Sequence, residues 1–189
     1  NPQDGVSLTA NNDTMGDAGD FYIHNFPVHS ARADRIRESL EQKAKFSVTD
    51  FCQMQLDLTD LRAAQLLPEL LGVLRTSHEP DVQLAVQLLE AWDQRATVES
   101  GAACLYYPFL DRFWPGKFLR DALQDDLVRL LPAAAPGLNR FDIASFTQEG
   151  SPWLAHGELL SKTICAEMSE VVKRVKKSLG ADPQQWRWG

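Results

Sequence analysis

The chain has 189 residues, 44% of them hydrophobic and 24% charged. That is enough for one substantial core, or one core with an appendage, in a water-soluble globular protein. A net charge of −7 argues against nucleic-acid or anionic-membrane surfaces, which need clustered Lys and Arg, and no apolar run approaches the ~20 residues of a membrane span. The first residues, Asn1-Pro2-Gln3-Asp4, do not form the basic-then-apolar pattern of a leader peptide.

In chain order, Gly5 opens a turn and Val6 to Ala10 is a short apolar and β-branched run that predicts a strand. Asn11-Asn12-Asp13 breaks it, because these side chains hydrogen-bond their own backbone. Two adjacent Asn at a strand end can also aim a carboxamide N–H into a cleft, where it could stabilise an oxyanion. The plainer reading, an Asx-turn that ends the strand, fits the spacing better, and nothing local decides between them. Asp13 to Asn25 reads as a polar, glycine-containing loop. Ser30 is a plausible N-cap for a helix from Ala31 to about Lys45.

Ser47-Val48-Thr49-Asp50 has a capping pattern, followed by Phe51, Met54, Gln55 and Leu58 at helical spacing. Leu61 to about Thr76 continues the amphipathic pattern, with Pro68 expected to kink or divide it. Pro80 suits a first helical turn, and Val82, Ala85, Val86 and Leu89 form a stripe ending at Trp92. Further helices are predicted around Leu105 to Phe113, over Phe118 to Leu130, and from about His156 to Leu179 with Gly180 as C-cap. About seven helical segments and one or two short strands make this a mainly α, multi-helical chain.

Cys52, Cys104 and Cys165 are isolated among apolar residues and read as buried structural thiols. The four His form no i,i+4 ligand pair, so a metal site built by this chain alone is not expected. The basic run Lys173 to Lys177 follows Glu167 and Glu170 on the last helix and reads as a cationic end that complements the helix dipole. No G-x-S-x-G elbow, phosphate loop, G-x-G-x-x-G or H-E-x-x-H occurs, and Asn1 has neither the hydroxyl nor the thiol of an N-terminal nucleophile.

Several short elements nevertheless occur in one order: Gly5 through Ala10-Asn11-Asn12, Arg32-Ala33-Asp34-Arg35-Ile36, Met54-Gln55-Leu56-Asp57 with Leu67-Pro68-Glu69-Leu70-Leu71 after it, Leu89-Glu90-Ala91-Trp92-Asp93, Ser100-Gly101-Ala102-Ala103, and Trp186-Arg187-Trp188-Gly189. Taken together they resemble the middle and later part of the β chain of the penicillin amidase (penicillin acylase) family of N-terminal nucleophile hydrolases. The resemblance implies a fragment of an αββα Ntn-hydrolase β chain. Residues 1–30 would belong to the core, 31–132 to a helical insertion, and 133–189 to a loop and long helix returning to the core. It also implies cleavage of linear amides through an acyl-enzyme formed on a β-chain N-terminal Ser that lies outside this chain.

In that scheme Asn11 matches the oxyanion-hole Asn, and Arg35 matches an Arg that orients polar groups around it. On spacing alone Arg35 fits equally well an i,i+3 pair with Glu38 on a helix face. The implied partners are the rest of the same precursor (the α chain and the N-terminal part of the β chain) and a small-molecule acyl amide, with no nucleic acid and no membrane. The implied location is periplasmic or secreted. No cofactor is expected: the family's calcium site takes an Asp from the loop between the Asn and the Arg, whereas here the loop length differs and His24 falls near that place. Gln94 stands where the family pattern has Gly after Trp92-Asp93, and the chain stops at Gly189 before the family's next His, as a piece of a longer protein would. A non-catalytic helical module that binds a partner protein is the alternative.

Overall fold

The computed structural model describes residues 5–12, 30–112 and 157–189. Six α-helices lie among them: α1 (Ala31–Glu41), α2 (Val48–Gln55), α3 (Leu61–Leu74), α4 (Pro80–Glu90), α5 (Ala103–Arg112) and α6 (Gly157–Leu179). A 3₁₀ turn follows over Pro183–Gln185. The mainly α expectation holds. The helix expected over Phe118–Leu130 and the loop containing His24 lie outside the described residues. Contacts divide the chain into two compact units, Asn1–Arg62 and Ala63–Gly189.

In the first unit, Val6 to Thr9 form no ladder; isolated bridge positions at Asn12, Thr59 and Arg95 are the only β-structure among the described residues. Side chains 6 to 10 do alternate between covered and exposed, as β patterning requires, but a strand also needs a ladder with a neighbouring strand, and none is formed by Val6 to Thr9 among the described residues. Helix α1 begins after Ser30 as expected and stops at Glu41, short of Lys45. The Ser30 hydroxyl does not cap the backbone; it donates instead to Asp34 Oδ2 at 2.7 Å.

Helix α2 has the capping box read from sequence. Ser47 Oγ accepts the Asp50 N–H at 3.2 Å, and the Asp50 carboxylate accepts the Ser47 N–H at 2.8 Å. Lys43 also pairs with Asp50, and the Lys43 contact followed by the Ser47 donors holds that carboxyl far below the usual range. No residue of α2 is buried. Cys52 is therefore exposed, a correction to its reading as a buried thiol; Cys104 is buried and Cys165 partly so.

The second unit holds the main core. Helix α6 packs on α4 and α5, and its Ile164, Met168, Val171, Val172 and Val175 meet Leu70 and Leu74 of α3, Val82, Ala85, Val86 and Leu89 of α4, and Leu105 and Phe109 of α5 in one cluster. Pro68 does not divide α3, which runs unbroken from Leu61 to Leu74. Its ring lies on the exposed side, as does Ala64, whose carbonyl loses its donor there and is left to water. The break predicted at Pro68 falls instead over residues 56–60, between α2 and α3.

Two polar links tie α6 to the start of α4: Ser169 Oγ donates to Glu79 Oε1 at 2.9 Å, and Lys176 pairs with Asp81. With Lys173 on Glu170 at 3.0 Å, the basic run is used structurally, as read. Gly180 closes the helix at φ +95°, its N–H reaching Lys176 O at 3.0 Å, which is the conformation that makes glycine the preferred residue there.

The family's tryptophan elements lie within this unit. Trp186 is fully buried and donates Nε1–H to Gly180 O at 2.9 Å. A Cβ on Gly101 would stand 3.2 Å from Pro183 O and 3.9 Å from the Trp186 ring, so the small residue at the start of α5 admits the returning tail. Trp188 stacks on Tyr107 at 4.8 Å, and Tyr106 packs against Trp92 at 5.1 Å.

Trp92 ends α4 in a tight turn in which its Nε1–H donates to Arg95 O at 2.9 Å. Gln94 occupies φ +58° in that turn. This is the left-handed region, which explains a Gly in the family pattern. Gln94→Gly is expected to stabilise the protein by up to about 1 kcal/mol, read as a raised melting temperature. A lowered one would mean that the Gln94 side-chain bond to Trp92 O outweighs the backbone strain.

Candidate functional site

The two asparagines divide their work. The Ala10 N–H donates to Asn12 Oδ1 at 3.0 Å, so the turn contact that sequence could not assign belongs to Asn12. Asn11 sits at φ +64°, a conformation Asn tolerates better than most residues, and its side chain is exposed. Asn11 Oδ1 accepts a hydrogen bond from Arg32 Nη1 at 3.4 Å. A guanidinium only donates, so this contact fixes which end of the carboxamide is oxygen and turns the NH₂ end away. Among the described residues that NH₂ has no acceptor.

Arg32 and Arg35 lie three positions apart on α1 and share a face of the helix. They are employed differently. Arg35 donates Nε–H to Asp57 Oδ2 and Nη1–H to Glu38 Oε2 at 3.0 Å, so the helix-face pair with Glu38 exists and a second carboxylate joins it. These bonds, Asp57's first, hold the guanidinium above its ordinary pKa.

Asp57 is fixed from its other side by Thr59, whose hydroxyl and N–H reach Oδ1 at 2.7 and 3.1 Å. Burial pushes the Asp57 carboxyl up, but the donors from Thr59 and Arg35 together outweigh it and leave it below the usual carboxylate range. Arg35 is thus a compensated, immobilised charge. Asn11 is hydrogen-bonded to Arg32, whereas the Arg35 guanidinium is hydrogen-bonded to Asp57 and Glu38.

Sequence reasoning gave Arg32, Asp57 and Thr59 no role at the site, although Arg32 and Asp57 lie in elements of the pattern. The Asp-x-Thr spacing at 57–59 was a usable signal, since an Asp accepting from the residue two positions on is a common local turn. Arg32 carried none: only the path of the chain brings it to a residue 21 positions earlier.

A model of the penicillin amidase family matches residues 1–189. The chain belongs to the penicillin amidase family. It is therefore amidase-type hydrolase sequence along its whole length. Within the first unit, two elements of the family pattern, Arg35 of the RADRI segment and Asp57 of the Q-x-D segment, are hydrogen-bonded to one another. Spacing alone had offered Arg35 only Glu38.

The second unit contributes a cleft of about 280 Å³ between α5, α6 and the tail, lined by Cys104, Val171, Val175, Arg187 and Trp188 among others, and by none of the predicted site residues. Among the described residues no three His, Cys, Asp or Glu side chains cluster as metal ligands would, and no helix is long and apolar enough to cross a membrane.

Proposed function

We propose that this chain is part of an acylase that hydrolyses linear amide bonds through an acyl-enzyme, and that Asn11 supplies an oxyanion donor. The observation that carries the reading is the state of the Asn11 carboxamide in a chain of this family: its oxygen is engaged by Arg32, and its NH₂ has no acceptor among the described residues. An N-terminal hydroxyl nucleophile outside the chain adds to the amide carbonyl. Negative charge moves onto the carbonyl oxygen, and Asn11 Nδ2–H donates to it. The amine leaves with a proton, and water then hydrolyses the ester to release the acid and regenerate the hydroxyl.

Arg35, locked to Asp57, acts in this scheme as a fixed positive element that keeps α1 and its flanking turn in register. The partners are the remainder of the precursor and a small acyl amide, the helical stretch 31–132 is the insertion, no cofactor takes part, and the location is periplasmic or secreted. A second reading, a helical module that binds a protein partner, draws on one observation. Phe51, Leu56 and Leu58, in and just after α2, are 48%, 75% and 44% exposed. The N-terminal residue of the mature chain that carries this segment, determined on the full-length protein, separates the two readings.

A further inference from the structure

We infer that Arg32, rather than Arg35, is the positioning residue for the Asn11 carboxamide; the inference rests on the oxyanion reading of Asn11 above. Three observations carry it. The Arg32 guanidinium is the one hydrogen-bond partner of Asn11 Oδ1 among the described residues. Arg35 is committed to Asp57 and Glu38, while Arg32 makes no ion pair among the described residues. Asn11 follows the buried Ala10 and is held at φ +64° beside the Asn12 turn, so its backbone is fixed and only its two side-chain torsions remain to be set.

A donor on Oδ1 sets those torsions and polarises the amide, which makes Nδ2–H a stronger donor to a developing oxyanion. The amide N–H is needed most when charge is on the oxyanion, so the contribution falls on the transition state more than on substrate binding. Both side chains are exposed, so screening keeps the effect well below that of removing Asn11 itself.

The test is a double-mutant cycle in the full-length, processed enzyme, using p-nitroanilides of acyl chains from acetyl to dodecanoyl and the one turned over fastest. Arg32→Met keeps the stem and removes the donor. It is expected to lower kcat about tenfold with KM changed less than about twofold, and Arg32→Lys is expected to recover part of the loss. In an Asn11→Ala background, Arg32→Met is expected to cost nothing further.

An equal loss in both backgrounds, an effect on KM alone, or no loss at all would overturn the role of Arg32 while leaving that of Asn11 standing. Full kcat in Asn11→Ala would instead remove the oxyanion reading, and this inference with it. Should Arg32→Met not yield folded, processed enzyme, Arg32→Lys carries the comparison, its smaller kcat loss again expected only where Asn11 is present.

Discussion

Asn11→Ala in the full-length, processed protein is expected to lower kcat for a chromogenic acyl amide by about 10² to 10³, the usual cost of one oxyanion donor. KM should change little, because the N–H is needed most when charge sits on the carbonyl oxygen. The melting temperature should fall only slightly, because Ala tolerates the φ of +64° less well than Asn does. The side chain is exposed, and the turn contact that could have made Asn11 structural is made by Asn12. Asn12→Ala is the matched control: it removes the acceptor of the Ala10 N–H and should act on stability instead. If Asn11→Ala lost stability while its folded fraction kept full kcat, Asn11 would be a turn residue and the oxyanion assignment would fail.

Trp186→Ala should be the most damaging single change in the second unit, costing about 3 to 5 kcal/mol. The side chain is fully buried, its indole N–H serves the carbonyl of Gly180 at the end of α6, and it is the ring nearest the position where Gly101 has no side chain. Its loss leaves a large cavity and an unpaired carbonyl at once. Trp186→Phe keeps most of the volume and loses the hydrogen bond, so it should cost distinctly less. Denaturant midpoints at unchanged slope are the measurement. A shift worth less than about 1 kcal/mol for Trp186→Ala would mean that the tail does not hold α5 and α6 together.

Elements with a strong helical period or a complete cap were legible in the sequence. The α4 stripe, the Ser47–Asp50 box and the Gly180 stop all depend on residues within a turn or two of one another, so local physics decides them. The division expected at Pro68 does not occur, because the effect of the ring depends on which side of α3 is wet, a tertiary fact. Val6 to Ala10 kept the alternation of a strand without a ladder, since alternation encodes a covered face and says nothing of a neighbour.

Site legibility followed the same rule. Arg35–Glu38 is local and could be read from spacing. Arg35–Asp57 and Asn11–Arg32 span 22 and 21 positions, so only the fold could join them. The family pattern supplied Asn11, Arg35 and Asp57 as separate elements; it did not say which of them touch.

The central claim, amide hydrolysis by a nucleophile that lies outside these residues, is tested most directly by the N-terminal residue of the mature chain containing this segment, determined after expression of the whole precursor. The account predicts a newly exposed Ser, Thr or Cys upstream of Asn1, created by processing and lost when that residue is replaced. An unprocessed chain, or one that begins with a residue lacking a hydroxyl or thiol, would contradict it and leave a helical module that keeps the family's fold without its chemistry.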